Sequence, residues 1–395
     1  MIRTGLDCLL KNPGVLKGRR YGLLSNSAAR SATLQPIHRA LLEQGADRPV
    51  RLLGPEHGFY GVEQDMIPSA DEIDPWTGVP IISLYGDSAE SLVPRGELFQ
   101  DLDLVVIDVQ DVGSRYYTYA ATAIWSAAVA LGESCEVWIL DRPNPLGGIK
   151  VEGNLPTQDF ESFVGAFRLP VRHGLTLGEI AQLEQKRSAW PEGVQVWRVD
   201  GWHREMIWQD LGCPWVAPSP NLPTVAAAQV YPGVCLVEGT ELSEGRGTTR
   251  PFQLVGAPGI DPVDFADTLQ SRNQPGVSFG PTYFRPQFQK HAGEICGGVE
   301  IRVTDLQALQ PYRLGVELLV AAKTVAPEIF RWREQPYEFV SDQPAIDLLA
   351  GSAALREALD AGAEPSDWIA SWKADEEQFS GEINDILIYP KAGEE

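Results

Sequence analysis

Leu102-Asp103-Leu104-Val105-Val106-Ile107-Asp108-Val109-Gln110-Asp111 is the stretch on which the fold is decided. An apolar, β-branched run that turns abruptly acidic is how a strand buried on both faces ends at the polar edge of a parallel sheet. Next comes an alanine-rich segment, 120–131, with few helix breakers, which predicts the crossover helix a parallel pair needs. Glu136-Val137-Trp138-Ile139-Leu140-Asp141 repeats the pattern and closes on an acid. It runs into Arg142-Pro143-Asn144-Pro145 and, past a glycine turn, Val151-Glu152-Gly153. In an open α/β sheet the carboxyl ends of neighbouring strands share one rim, so Asp108, Asp111, Asp141, Arg142 and Glu152 are expected to converge there.

Working outward, residues 20–26 read as a first strand and 34–44 as its helix, stopped by Gly45. Residues 50–53 form a second strand leading straight into Gly54-Pro55-Glu56-His57-Gly58-Phe59, and the acidic, proline-bearing stretch 65–77 a loop over the rim. Strands are also expected at 79–86 and 194–199, and Thr176 with Glu179 makes a capping box for a helix between them. The proline-rich passage 213–223 is a loop or hinge. Beyond Tyr231-Pro232-Gly233 the pattern shortens, with a strand near 298–303 and amphipathic helices at 314–326 and 342–359. The expected architecture is therefore α/β, with a mostly parallel sheet over residues 1–232, a smaller α+β domain over 233–395, and a cleft at their interface.

A chain of 395 residues with 44% hydrophobic content has enough apolar material for two cores. With 32 Lys plus Arg against 54 Asp plus Glu, its formal charge of -22 opposes general binding to nucleic acid or anionic lipid. An anionic small substrate would need arginines gathered locally. The five cysteines are odd in number and form no C-x-x-C pair, so neither a disulfide framework nor a zinc knuckle is expected. The first ten residues lack a long apolar run, and no segment is long enough to span a bilayer, so the expected compartment is the cytoplasm.

Glu56, after an apolar strand and inside a Gly/Pro turn, is the first candidate for chemistry. Aromatic walls such as Phe59 disfavour a charged carboxyl, which suits a general acid. His57 either orients Glu56 or bonds backbone. Asp108 and Asp111 face one cleft or, for Asp111, cap the next helix. Arg115 with Tyr116, Tyr117 and Tyr119 joins a cation to an aromatic wall, a pairing suited to a sugar with an anionic substituent. Asp141 and Arg142 are expected to pair internally. Glu152 and Glu238 are rivals for a second carboxylate, and Ser243-Glu244-Gly245-Arg246-Gly247-Thr248-Thr249 offers backbone and Arg246 to an anion. His173 is either a ligand or a turn residue. No P-loop and no G-x-G-x-x-G after the first strand is present, which speaks against ATP and NAD, and no cofactor is expected. His57, Asp108, Asp111 and His173 have the ligand types for a metal but not the H-x-H or H-E-x-x-H spacing. Without G-x-S-x-G a serine nucleophile is a poor reading.

Pro55-Glu56-His57-Gly58-Phe59, the run from Asp108 to Tyr119, and Leu140-Asp141-Arg142-Pro143-Asn144-Pro145 together resemble the bacterial exo-β-N-acetylmuramidases of the NamZ type, long catalogued as a domain of unknown function. Matches continue in order through Val151-Glu152-Gly153, His173-Gly174-Leu175-Thr176, Pro218-Ser219-Pro220-Asn221, Glu238-Gly239-Thr240, the 243–249 run, Cys296-Gly297-Gly298 and Val303-Thr304-Asp305. The resemblance implies a Rossmann-like N-terminal domain, a smaller C-terminal domain and release of N-acetylmuramic acid from non-reducing ends of peptidoglycan fragments. The resemblance, which places the catalytic glutamate on Glu56, leaves the second carboxylate open, and Glu152, Glu238, Glu244 and Asp108 are the candidates for base or nucleophile; the same resemblance bears on the substrate contacts. It puts His57, Asp111, Arg115, Tyr117, Arg142, Asn144, His173, Asn221, Glu238 and Arg246 around the substrate, with Arg246 or Arg115 pairing with the lactyl carboxylate. Three positions depart from the family pattern: Glu241 for Asn, Gln253 for Glu and Gly259 for Trp, which bears on the sugar accepted. Many relatives are exported, whereas this sequence shows no signal, so cytoplasmic recycling of muropeptide fragments is the expected setting here. The rival readings are a sugar-binding sensor without turnover and a metal-dependent deacetylase or phosphoesterase.

Overall fold

The computed structural model describes residues 2–64, 66–188 and 190–393. Seven strands, β1 (Tyr21–Ser25), β2 (Arg51–Gly54), β3 (Glu72–Ile73), β4 (Pro80–Ser83), β5 (Leu104–Asp108), β6 (Glu136–Leu140) and β7 (Val194–Trp197), form one sheet. Its order is β3-β4-β2-β1-β5-β6-β7, parallel throughout except for β3, which runs antiparallel to β4. All five residues of both β1 and β5 are buried, as their unbroken apolar runs require. From β1 the chain steps outward to β2 and β4, then returns to the other flank at β5. The crevice of such a sheet opens above this reversal, beside the carboxyl ends of β1 and β5. Helices Ile37–Glu43, Tyr119–Gly132 and Leu177–Ser188 cover the faces. The predicted capping box forms, with the Glu179 amide 3.3 Å from Thr176 Oγ1 and the Thr176 amide 3.0 Å from Glu179 Oε2.

A second, antiparallel sheet of β8 (Leu254–Ala257), β9 (Val277–Phe284) and β10 (Cys296–Val303) is ordered β8-β10-β9. Helix Pro262–Ser271 packs on it, Pro311–Val325 packs on that helix, and Val225–Val234 packs on Pro311–Val325. At that crossing a Cβ on Gly233 would lie 1.7 Å from the Pro311 carbonyl oxygen, so the helices meet backbone to backbone. One hydrophobic cluster runs from Leu24 and Ile107 of the large sheet through Tyr231 to Val255 and Leu319, which fuses the two sheets' cores. Residue 233, the expected division, lies inside the Val225–Val234 helix.

Several elements differ from expectation, among them a strand, β3, inside the expected loop 65–77 and the following helices. The helix anticipated over 342–359 is two, Ala345–Ala350 and Ala354–Asp360, because Gly351 sits at φ 72°, a left-handed conformation that ends the first. Val225–Val234 is a helix that was not expected, and Pro232 and Gly233, where the sequence pattern changes, lie inside it. Pro365–Ile383, 19 residues long, was not anticipated; its buried face is confined to Pro365, Trp372, Phe379 and Ile383. No helix among the described residues is long and apolar enough to cross a membrane.

Candidate active site

β2 ends at Gly54 and the chain turns at once through His57, held at φ 68°, and Gly58, at φ 77°. A left-handed histidine costs about 1 kcal/mol or more and persists only where its surroundings fix it. Here the ring Nδ1 lies 3.0 Å from the Glu63 carbonyl oxygen. The turn delivers Glu56, 4% exposed, into the crevice. Glu56 Oε2 accepts from the Thr118 hydroxyl at 2.8 Å and Oε1 from the Met66 amide at 3.2 Å. Thr118 precedes the crossover helix, so the two sides of the sheet's reversal meet on this one carboxyl.

The opposite wall comes from the second unit. Glu238 accepts from Arg246 Nη2 at 2.9 Å and from the Tyr337 hydroxyl at 2.7 Å, so both its oxygens are engaged. Glu56, His57, Tyr117, Asn221, Glu238 and Arg246 line one narrow cleft with a free volume of about 40 Å³. Tyr117 packs against Tyr231 at 6.1 Å and Tyr231 against Phe252 at 4.9 Å, while the Arg246 guanidinium lies 5.3 Å from the Phe252 ring centre. These rings give an apolar face that suits a sugar. Burial pushes the phenols of Tyr117, Tyr231 and Tyr337 well above their ordinary range, which keeps them neutral.

The remaining candidates lie elsewhere, each held by a partner that a buried charge or dipole requires. Asp108 takes both Nε and Nη2 of Arg142, so the expected Asp141–Arg142 pair does not form. Asp141 accepts from the hydroxyls of Thr176 (2.7 Å) and Tyr389 (2.6 Å) and from the Gly178 amide (3.0 Å), and burial pushes its carboxyl up to about 6. Asp111 accepts from the Gly113 amide at 2.7 Å and lies 3.5 Å from His173 Nε2. Asn144 bridges the Leu175 carbonyl and the Leu146 amide, closing a turn. Arg115 donates to the carbonyls of Asn154, Leu169 and Leu349, so its guanidinium ties the two units together and is not in the cleft. Glu244 sits behind the cleft wall, 3.1 Å from Lys290 Nζ and 3.8 Å from Arg246 Nε. Burial opposes its charge, but these cations overcome that and hold the carboxyl below its ordinary value.

Glu152 stands furthest from expectation. It lines a separate hollow with Arg172, Gln310 and Glu376, accepts from the Arg313 amide at 2.9 Å, and burial pushes it up to about 7. Of the acids expected to act with Glu56, the structure brings only Glu238 to the same cleft; Glu152, Glu244 and Asp108 are not among its lining residues. Sequence reasoning missed Thr118, Tyr337 and Glu338, which also line it. Thr118 lies inside the quoted Tyr-rich turn and was within reach; the 337–338 pair sits in an irregular segment that has no periodic signal. None of the departures Glu241, Gln253 and Gly259 lines the cleft. No group of three metal-ligating side chains occurs among the described residues.

Comparison with known proteins closes the question of kinship. Residues 21–226 match the family model for the N-terminal part of exo-beta-N-acetylmuramidase NamZ, and residues 229–389 match the model for its C-terminal part. The chain belongs to the NamZ exo-beta-N-acetylmuramidase family. It is 38% identical over 389 residues to the peptidoglycan beta-N-acetylmuramidase NamZ of Bacillus subtilis (strain 168), covering 98% of this chain and 91% of that protein. Two crystal structures of DUF1343 family proteins from Bacteroides fragilis NCTC 9343 share the fold. One has a TM-score of 0.88 at 29% identity, covering 98% of this chain and 99% of the other. The second has a TM-score of 0.76 at 27% identity, covering 99% of each.

Proposed function

We propose that the protein is an exo-acting glycosidase that releases N-acetylmuramic acid from the non-reducing ends of peptidoglycan fragments. The observation that carries this reading is the pairing of two unlike carboxyl groups across one cleft in a chain that matches both halves of the NamZ family. Glu56 meets only a hydroxyl and an amide and takes part in no ion pair among the described residues, so a proton on it can pass to a glycosidic oxygen. Glu238 is oriented by Arg246 and Tyr337, and its negative charge opposes the positive charge that builds on the sugar ring as the bond to the leaving oxygen breaks. The Tyr117, Tyr231 and Phe252 rings hold the sugar face; as the bond to the leaving oxygen breaks, a water adds to the anomeric carbon and passes its proton to a carboxylate of the cleft, which completes the hydrolysis. The activity of the Bacillus subtilis relative, at 38% identity, supports the same substrate class.

A chromogenic N-acetylmuraminide tests the reading directly. Release of the chromophore, unchanged by EDTA, is the expected result. Binding without release would make the chain a sensor, and EDTA-sensitive loss of the acetyl group would make it a metal-dependent deacetylase.

A further inference from the structure

Three carboxyl side chains, Glu56, Glu238 and Glu338, line the cleft, while the sugar proposed above carries a carboxylate of its own on its lactyl ether. A second anion entering such a site needs a cation with donors to spare. The two cations expected to serve, Arg115 and Arg246, are committed, and so is the neighbouring Lys290. Arg115 donates to three carbonyls, Arg246 to Glu238, and Lys290 to Glu244 and the carbonyls of Val237 and Leu242.

Arg333 is placed differently. Its amide is anchored to the Gly239 carbonyl at 2.9 Å, one residue beyond Glu238. Its guanidinium lies 5.1 Å from the centre of the Tyr337 ring, the phenol that bonds Glu238. Nη2 donates to the Pro336 carbonyl at 3.1 Å and lies 4.0 Å from the sulfur of Met66, whose amide donates to Glu56. The guanidinium therefore lies beside the cleft, next to Tyr337 of its lining and between the turn that carries Glu56 and the segment that orients Glu238, without being a lining residue itself. It forms no ion pair among the described residues, and its Nε is buried without an acceptor. Such a donor is costly to leave unmade, and more so on a charged group. The Tyr337 ring beside it favours the cation, and the fork of a guanidinium matches a carboxylate.

We propose that Arg333 is the receptor for the substrate's carboxylate, the group that separates an N-acetylmuraminide from an N-acetylglucosaminide. The proposal rests on the muramidase reading and supplies its specificity-determining residue. Arg333 is half-buried beside the cleft, so Arg333→Ala and Arg333→Lys are expected to fold, with unchanged thermal unfolding as the control.

The test compares three chromogenic substrates: the N-acetylmuraminide as the free acid, its lactyl methyl ester, and the N-acetylglucosaminide. Losing a charge-assisted hydrogen bond to a carboxylate predicts a fall of about 10- to 100-fold in kcat/KM on the free acid for Arg333→Ala, carried by KM. The ester and the glucosaminide should change by less than about threefold, and Arg333→Lys should restore part of the loss on the acid alone. Equal losses on acid and ester, or an acid preference that survives Arg333→Ala, would overturn the proposal. Calorimetric titration with free N-acetylmuramic acid and its methyl ester reads the same preference without turnover. If the wild-type protein cleaves no muraminide, the functional reading falls. An Arg333-dependent preference for the acid in binding would still support the receptor, and its absence would remove it.

Discussion

Glu56 and Asp108 stand at the carboxyl ends of strands one place apart on either side of β1, yet they have opposite fates. Asp108 is the last residue of β5, fully buried, and both its oxygens are taken by Arg142. Glu56 lies two residues past β2, on a turn forced out of the sheet by a left-handed His57, and meets a hydroxyl and an amide. An acid that still belongs to a strand is surrounded by core and must be neutralised by a fixed partner. An acid lifted clear on a strained turn has no fixed counter-charge and stays accessible to a ligand. Being acidic at the rim is thus the weaker cue, and leaving the strand first is the stronger one.

Glu56→Gln tests the functional half of this contrast and carries the largest expected effect. Gln keeps the acceptor for Thr118 but has no proton to give, so kcat should fall by about 10²- to 10⁴-fold with sugar binding preserved. A variant that binds the sugar and turns over near the wild-type rate would remove Glu56 from the chemistry. For the structural half, Asp108→Asn leaves the Arg142 guanidinium buried against a neutral partner, for an expected loss of about 3–5 kcal/mol in unfolding free energy. Denaturant unfolding reads this. A stable variant with impaired turnover would instead return Asp108 to the catalytic set.

The same contrast explains what the sequence disclosed. β5 and β6 were legible because buried parallel strands carry a local, β-branched signature, β1 because a short apolar run ends in small polar residues, and Glu56 because glycine and proline mark its turn. The partners of buried charges were not legible. Arg115 looked like a substrate-facing cation beside three tyrosines, but its acceptors lie 39, 54 and 234 residues along the chain, a pairing no local pattern encodes. Val225–Val234 was hidden by Pro232, and Arg333, Tyr337 and Glu338 by an irregular segment stabilised through single contacts such as the Tyr337–Val340 bridge. In this chain, backbone elements are local decisions and charge partnerships are long-range ones.

Glu152 sharpens the comparison through pH, with the smallest expected effect. It is 8% exposed, outside the cleft, and burial raises its carboxyl from the ordinary 4.5 to about 7. Between those values the folded protein holds a proton that the unfolded chain has released, so stability is greatest below about 4.5 and is lost as pH rises to about 7. At about 1.4 kcal/mol per tenfold change in proton affinity, the full loss is about 3 kcal/mol. Asp141, raised to about 6, slopes the same way, so the informative quantity is the difference between two proteins. Glu152→Gln keeps an oxygen for the Arg313 amide and cannot ionise. Relative to wild type it should gain stability as pH rises from about 4.5 to about 7, then hold that advantage, with muraminide turnover intact. A parallel pH profile would mean that Glu152 is already ionised and matched in the fold. A loss of turnover at full stability would mean that an acid still inside the framework can serve the reaction, against the lesson drawn from Asp108.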